Sequence, residues 1–463
     1  MTQEYDAIII GTGQAGPPLA GEFDGRGLKV AIIERHQVGG SCVNHGCIPT
    51  KALVASAQVA HQARRAGDFG IQVTGRVGAD MKRVKARMRE ISGQSNESVT
   101  QWLEGMENVD LIRGHARLEG PGRVRVGSDL LTAPKIFLNV GARARVPEMP
   151  GLDEIDYLTS TGLLKLEELP EHLVVIGGGY IGLEFAQMYR RFGSRVTVVE
   201  MGPRLMKHED EDVAEAVGEI LAEEGIELRL NAECIGFSPR NSGIAVQVEC
   251  GEGPPEVVGS HVLLAVGRIP NTDDLGLEKA GIELDKGGYV PVDDRLRSPV
   301  ESIWAIGDCN GKGAFTHTSY NDYEIVANQL FGDGSRKVSD RITCYGLYID
   351  PPLGRIGLNE SQALQSGRKA LMGKRPMSKV GRAKEFGQTQ GFIKILVDPD
   401  SEEILGAAIL GLSGDEAVHC LLDVMYAKTP YTVISQAVHI HPTVSELIPT
   451  VLQSLEPLED EGD

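Results

Sequence analysis

An internal repeat limits what this chain can fold into more than any other feature of its sequence. The first unit opens with the apolar, largely β-branched run Ala7-Ile8-Ile9-Ile10, continues through Gly11-Thr-Gly13-Gln-Ala-Gly16 and a helical segment, and reaches a second run, Val30 to Ile33, that ends in Glu34. The pattern returns 166 residues on, with Gly177 in place of Gly11. Leu173 to Ile176 lead into Gly177-Gly-Gly179-Tyr-Ile-Gly182, a helix is expected from about Leu183 to Phe192, and Val196 to Val199 end in Glu200. In both units the acidic residue stands 23 positions after the first glycine. Strand, glycine turn, helix and strand in that order make a βαβ unit, whose two strands lie parallel in one sheet. An α/β architecture built twice is therefore expected.

The glycine spacing gives each unit a chemistry. In G-x-G-x-x-G the first glycine permits the tight turn from strand to helix, the second lets a pyrophosphate approach the backbone, and the third allows close helix–strand packing. The helix N-terminus then favours the phosphate charge, and Glu34 and Glu200 are placed to accept a hydrogen bond from a ribose hydroxyl. One such motif can arise from packing alone. Two in register, each complete, point to two dinucleotide sites, one for a flavin and one for a nicotinamide. Val140-Gly141 and Val266-Gly267 each close a short apolar run and lead on to a proline, as a chain leaving a parallel sheet would, which adds Gly141 and Gly267 to the cofactor-binding set. A further strand, Ile303 to Ile306, runs into Gly307-Asp308.

From about Thr343 the texture changes to strand-like runs, Gly391 to Val397 and Glu403 to Ile409, and a helical stretch from about Gly414 to Ala427. That reads as a separate α+β domain. The expected division is 1–150 for the first part of the flavin domain, 151–270 for the nicotinamide domain, 271–340 for a return to the flavin domain and 341–463 for the C-terminal domain. At 463 residues and 41% hydrophobic content, each part has enough apolar material for its own core. The acidic tail from Glu456 is expected to be solvated.

Charge and cysteine content narrow the function. Asp and Glu outnumber Lys and Arg by 65 to 46, a net charge of −19, which repels nucleic-acid and anionic lipid phosphates. No apolar run approaches a membrane span and Met1 to Asp6 lacks a basic export signal, so a soluble cytoplasmic protein is expected. Of its seven cysteines only Cys42 and Cys47 are close in sequence, and no second Cys/His pair at ligand spacing joins them as a zinc site would require. No metal site is predicted, and a redox pair is the better reading. Pro49 fits the first turn of a helix running on through Lys51, which places Cys47 near a helix N-terminus, where a thiol is shifted toward thiolate.

The segment Gly39-Gly-Ser-Cys42-Val-Asn-His-Gly-Cys47-Ile-Pro-Thr-Lys51, both glycine motifs, Gly307-Asp308 and the terminal His441-Pro-Thr-Val-Ser-Glu446 together resemble the FAD-dependent pyridine nucleotide-disulfide oxidoreductases over essentially the whole chain. Glutathione reductase, dihydrolipoamide dehydrogenase and mercuric reductase belong to that family. The resemblance implies two Rossmann-like domains and a C-terminal domain that dimerises, with FAD and NADH as cofactors and NADPH as the alternative. It makes Cys47 the thiol beside the flavin, Cys42 the one that attacks substrate, Lys51 a flavin neighbour paired with Glu184, and Asp308 a contact to the flavin ribityl chain. His441, oriented by Glu446, becomes the acid–base offered to the partner subunit's cysteines. Read without the family, Glu184 is an ordinary helix acid, Asp308 a turn aspartate, and His441 and His439 structural histidines; His439 is left structural and Cys309 without a role.

Substrate stays open at this level. Ala314 to Asp322 is similar to the mercuric reductase branch, yet the last cysteine is Cys420, with no C-terminal cysteine pair and no C-x-x-C domain before Tyr5. Cys-Ile-Pro-Thr-Lys and His-Ile-His-Pro-Thr are similar to dihydrolipoamide dehydrogenase. The leading expectation is reduction of a small or protein-borne disulfide, or of a soft metal ion. Dihydrolipoamide dehydrogenase is the alternative, and a flavoprotein without thiol chemistry is a third class that the Cys42, Cys47 and His441 set disfavours.

Overall fold

The computed structural model describes residues 2–241, 243–249 and 253–458, and in it the two repeats form the same object twice. Ala7–Ile10 lies inside a five-stranded parallel sheet between Val30–Glu34 and Ile136–Leu138, with Val109–Arg113 and Ile303–Ala305 at the edges. His172–Ile176 lies in the same way between Arg195–Val199 and His261–Leu264, with Glu227–Arg229 and Tyr157–Leu158 outermost. Both central strands are buried at every residue, as befits strands covered on two faces. The runs leading to Val140-Gly141 and Val266-Gly267 thus take the same place in each sheet.

Close approach explains the first and third glycines. Gly11 and Gly177 hold φ of +106° and +110°, and a Cβ there would sit 2.2 Å from the Asn139 carbonyl oxygen or 2.5 Å from that of Ala265. A Cβ at Gly16 or Gly182 would sit 2.5 or 2.3 Å from the carbonyl oxygen of the first glycine of its own motif. The middle glycines differ: a Cβ at Gly13 meets nothing nearer than 3.4 Å, and one at Gly179 meets nothing within 4 Å. The protein's own packing does not demand glycine at those two positions, which leaves backbone open to a ligand.

The chain leaves the first sheet and returns to it as a two-stranded antiparallel ribbon, Ala142–Ala144 against Arg268–Pro270. The C-terminal region is a six-stranded antiparallel sheet in the order Cys344–Leu347, Leu353–Gly357, Ile404–Leu410, Phe392–Val397, Leu371–Pro376, Glu456–Pro457. Its helical stretch consists of Gly414–Ala417 and His419–Ala427. Lys394, almost wholly buried in this sheet, joins it to the second repeat through Asp210 and Asp212 at 2.9 and 2.6 Å, and also pairs with Glu360.

Two expectations need correction. The second repeat's helix is Tyr180–Phe192 and starts three residues before Leu183, because Gly179 takes an extended N-cap conformation that hands Tyr180 the first helical position. The tail is not simply solvated from Glu456: Glu456 and Pro457 are exposed but pair with Leu371–Pro376, while residues 459–463, like Cys250, lie outside the described residues. Among the described residues no helix is long and apolar enough to cross a membrane.

Candidate active site

Gly39 to Lys51 folds into a short helix, Gly40–Asn44, a bend at His45-Gly46, and the long helix Cys47–Arg65. Cys47 is therefore the first helical residue, with the positive end of the helix dipole at its thiol and Arg64 and Arg65 complementing the far end. Gly40 holds φ of +66°, and its Cβ would fall 2.7 Å from Gly13 Cα, so the cysteine segment rests directly on the first glycine loop.

These elements wall a cleft of about 1070 Å³. It is lined by Glu34 and His115, by Gly11, Gly13 and Gly141 of the first unit, and by Cys42, Cys47, Lys51, Glu184, Asp308 and Phe315. Its volume lies just above the usual range for small-molecule sites, roughly 300–1,000 Å³, which is room enough for a dinucleotide. With the open face of Gly13 and the helix N-terminus at Gly16, the residues present fit FAD. The side chain of Asn139, which sequence reasoning passed over, pins this loop by donating to the Gly11 and Gly13 carbonyls at 3.2 and 3.0 Å.

The two predicted ribose acids prove equivalent. Glu34 Oε2 accepts from the Thr12 N–H at 3.1 Å and Glu200 Oε2 from the Gly178 N–H at 2.6 Å, and their Oε1 atoms accept from the His36 and Gly202 N–H groups at 2.8 and 2.9 Å. Each carboxylate is thereby fixed at the end of its strand beside its glycine loop. Glu34 lines the cleft; Glu200, Gly177, Gly179, Gly182 and Gly267 belong to the second unit and do not.

In the cleft wall the two cysteines are free thiols of opposite character. A hydrogen bond from Cys42 pulls Cys47 down to about 6, aided by the Thr316 hydroxyl and the Lys51 charge against the effect of burial. The same hydrogen bond, with burial, pushes Cys42 up. Cys47 Sγ lies 3.3 Å from Thr316 Oγ1, the first residue of the helix Thr316–Phe331. Lys51, one turn after Cys47, donates to Glu184 Oε2 at 2.6 Å, and Glu184 Oε1 accepts the Tyr348 N–H at 3.0 Å. First unit, second unit and C-terminal region thus meet at one buried carboxylate.

Asp308 faces the cleft within a 3-10 turn, Gly307–Asn310, and lies 3.6 Å from the Arg268 guanidinium. Burial raises its pKa while Arg268 opposes the shift. Cys309 beside it is fully buried, with its thiol against the Leu138 and Ile306 carbonyls.

His441 and Glu446 do form a dyad, with Nδ1 2.8 Å from Oε2. The imidazole is nevertheless 79% exposed and is not among the residues lining the cleft of its own chain. Its neighbours Val438 and Ile440 are 100% and 80% exposed, an apolar surface that solvent does not favour. His439 places Nδ1 3.3 Å from the carbonyl of Ala437, two residues earlier. Thr316 and Tyr348 were missed as site residues; Thr316 lies in the Ala314–Asp322 segment, but nothing in its sequence neighbourhood reveals a partner 269 residues away.

Comparison with known proteins agrees with this geometry. Residues 5–322 match the family described as pyridine nucleotide-disulphide oxidoreductase, and residues 344–452 match its dimerisation domain. The chain is 36% identical over 451 residues to the probable pyridine nucleotide-disulfide oxidoreductase RclA of Escherichia coli, covering 96% of this chain and 97% of that one. It is 32% identical to the dihydrolipoyl dehydrogenase of Thermus scotoductus, covering 96% and 95%, and 32% identical to a mercuric reductase of Staphylococcus aureus, covering 92% and 76%. The solved structure of the HOCl-induced flavoprotein disulfide reductase RclA from E. coli superimposes with a TM-score of 0.88 at 35% identity, covering 97% of this chain and 99% of that one. A Cu(II) complex of the same reductase gives 0.89 with the same coverage.

Proposed function

From the premise that the chain belongs to the pyridine nucleotide-disulphide oxidoreductases, whose members are FAD-dependent and use NAD(P)H, we propose a reductase that draws electrons from NADH. It delivers them through FAD and the Cys42–Cys47 pair to an external disulfide or to a thiol-seeking metal ion, Cu(II) first among them. The observation that carries this reading is the polarised thiol pair in the cleft wall, with Cys47 favoured as thiolate beside Lys51–Glu184. The likeness to a reductase solved both as a disulfide reductase and as a Cu(II) complex supports the choice of acceptors.

In this reading 1–150 and 271–340 hold FAD, with Gly11, Gly13, Gly16, Glu34, Gly141 and Asp308 around it. Residues 151–270 hold the nicotinamide nucleotide at Gly177, Gly179, Gly182, Glu200 and Gly267, and 341–463 pair the subunits. FAD, when bound, supplies two-electron transfer between nicotinamide and thiols. Lys51 places its ammonium beside the reacting centre, and Glu184 fixes that ammonium. Starting from the dithiol with Cys47 as the thiolate, the partner's His441 takes the Cys42 proton as that sulfur attacks an external disulfide, forming a mixed disulfide and expelling one thiolate, to which the same imidazole passes the proton. Cys47 then attacks Cys42 Sγ, closing the internal disulfide and releasing the second thiolate. With Cu(II), two ions take one electron each as the dithiol closes to a disulfide and releases two protons.

Dihydrolipoamide dehydrogenase is the second reading, favoured by relatives named dihydrolipoyl dehydrogenase at 30–33% identity and by the His441–Glu446 dyad. Steady-state turnover of the purified enzyme with glutathione disulfide, Cu(II), Hg(II) and lipoamide, using either nicotinamide, tests the choice. Faster oxidation of reduced lipoamide by NAD⁺ than of NADH by any of the other acceptors would overturn the proposal in favour of the second reading.

A further inference from the structure

The turn that presents Asp308 to the cleft is fastened from behind by a buried carboxylate. Asp322, on the helix Thr316–Phe331, is 2% exposed. Its Oδ2 accepts from the Gly307 N–H and from the Asn310 side-chain amide, each at 2.8 Å, while Oδ1 pairs with Arg341. Asn310 donates to the Ala305 carbonyl as well, at 3.0 Å, which ties the clamp to the last strand of the first sheet. Gly307 holds φ of +73°, and a Cβ there would press on Ser319 Oγ of the same helix at 2.8 Å. Helix and turn therefore meet both at Asp322 and at Ser319.

A carboxylate in this place is a costly fastener, since it must be taken out of water even with an arginine beside it. What it provides over a neutral side chain is a charged acceptor for two amide donors at one oxygen, which makes both bonds shorter and more directional. The helix it stands on begins at Thr316, whose hydroxyl lies 3.3 Å from Cys47 Sγ. One rigid element thus holds the Asp308 turn at one point and touches the redox thiol at another.

We propose that Asp322 is a positioning residue for the flavin: it holds the Gly307–Asp308 turn in register with Cys47 through the helix Thr316–Phe331. The proposal rests on Asp308 as a flavin contact, and the experiment separates the two claims. Holoenzyme is prepared as wild type, Asp308→Asn, Asp322→Asn and, as a control on the same helix, Glu324→Gln. Affinity for FAD is measured, together with the visible absorption spectrum of the bound flavin and the melting temperature. Asp322→Asn is expected to weaken FAD binding about tenfold, the effect of losing one or two buried hydrogen bonds, and to displace the flavin absorption bands, while Glu324→Gln leaves both as in wild type. A merely structural role would lower the melting temperature and leave affinity and spectrum unchanged, and that result overturns the proposal. Should Asp322→Asn not fold, Asn310→Ala removes one of the clamp's donors and must move the same two readouts by a smaller factor; no movement overturns it equally. Unchanged FAD affinity in Asp308→Asn would sink the reading of Asp308 and this inference with it, whereas a loss there without one in Asp322→Asn would sink the inference alone.

Discussion

Lys51 Nζ lies 2.6 Å from Glu184 Oε2, and this contact joins the helix that starts at Cys47 to the helix of the second glycine repeat. Glu184 is nearly buried, and its other oxygen takes the Tyr348 N–H. The ammonium is also 4.5 Å from the centre of the Tyr348 ring. A flexible lysine of the first region is thereby held in the cleft wall by contacts from the second region and from the C-terminal region.

Glu184→Gln keeps the shape and removes the charge that anchors this ammonium. Reduction of the bound flavin by NADH, followed by rapid mixing at its visible absorption band, is expected to slow by about ten- to a hundredfold, the order that a misplacement of roughly 1 Å near a reacting centre costs. FAD content should stay near wild type. An unchanged rate would show that the ion pair serves folding alone.

Cys42→Ser should bind FAD and accept electrons from NADH, and Cys47, left without its partner, should give the oxidised protein a long-wavelength absorption band from thiolate against flavin. Cys47→Ser should accept hydride yet lack the band. Both should lose disulfide reduction, and wild-type turnover in Cys42→Ser would refute the dithiol relay.

The thiolate band also carries a pH dependence. With the Cys42 thiol as main donor Cys47 is held down to about 6; Cys42→Ser exchanges that donor for a hydroxyl, so the band is lost as pH falls through the midpoint this variant itself shows. Thr316→Val removes a donor that favours the thiolate, so the midpoint should move upward, by up to roughly one pH unit for the loss of one hydrogen bond. Titrating the band in Cys42→Ser with and without the second substitution would show the shift; a downward move would contradict the assigned role of Thr316.

Glu200 directly follows the strand Arg195–Val199, with both carboxylate oxygens fixed on backbone N–H groups of the second repeat. A carboxylate so held can accept from a ribose diol and repels a 2′-phosphate. NADH is therefore expected to exceed NADPH in kcat/KM by about tenfold or more, with Arg204 on the following loop as the counterweight, and Glu200→Ala should narrow the ratio. A preference for NADPH in the wild type would reverse the assignment.

Backbone constraints wrote themselves plainly into the sequence, whereas long-range contacts did not. Gly11 and Gly177 are legible because no side chain fits against the Asn139 and Ala265 carbonyls, and the acid 23 positions on recurs because the same two backbone N–H groups await it. Lys51 with Glu184 could be named only through family resemblance, since 133 residues separate them and the fold alone brings them together. Thr316, Tyr348 and Asp322 carry no local signature at all; each acts through packing between elements far apart in the chain. The helix start misplaced at Leu183 has a local cause, because a glycine N-cap leaves no polar side chain to mark the boundary.

The active site is expected to be completed by a second subunit. His441 sits with Glu446 on the exposed surface of its own chain, flanked by exposed Val438 and Ile440, while the cysteines lie in a cleft that His441 does not line. A closed two-fold dimer would bury that apolar surface and bring each His441 to the other subunit's cysteines. Mixing two defects tests this. In a heterodimer of a Cys42→Ser subunit with a His441→Ala subunit, a shared arrangement leaves one site with an intact cysteine pair and an intact histidine, and the other with neither. That heterodimer should recover close to half the wild-type disulfide reductase activity, although each mutant homodimer is impaired. If every subunit used its own histidine, both sites would stay defective, and an isolated heterodimer no more active than the His441→Ala homodimer would rule out the shared site.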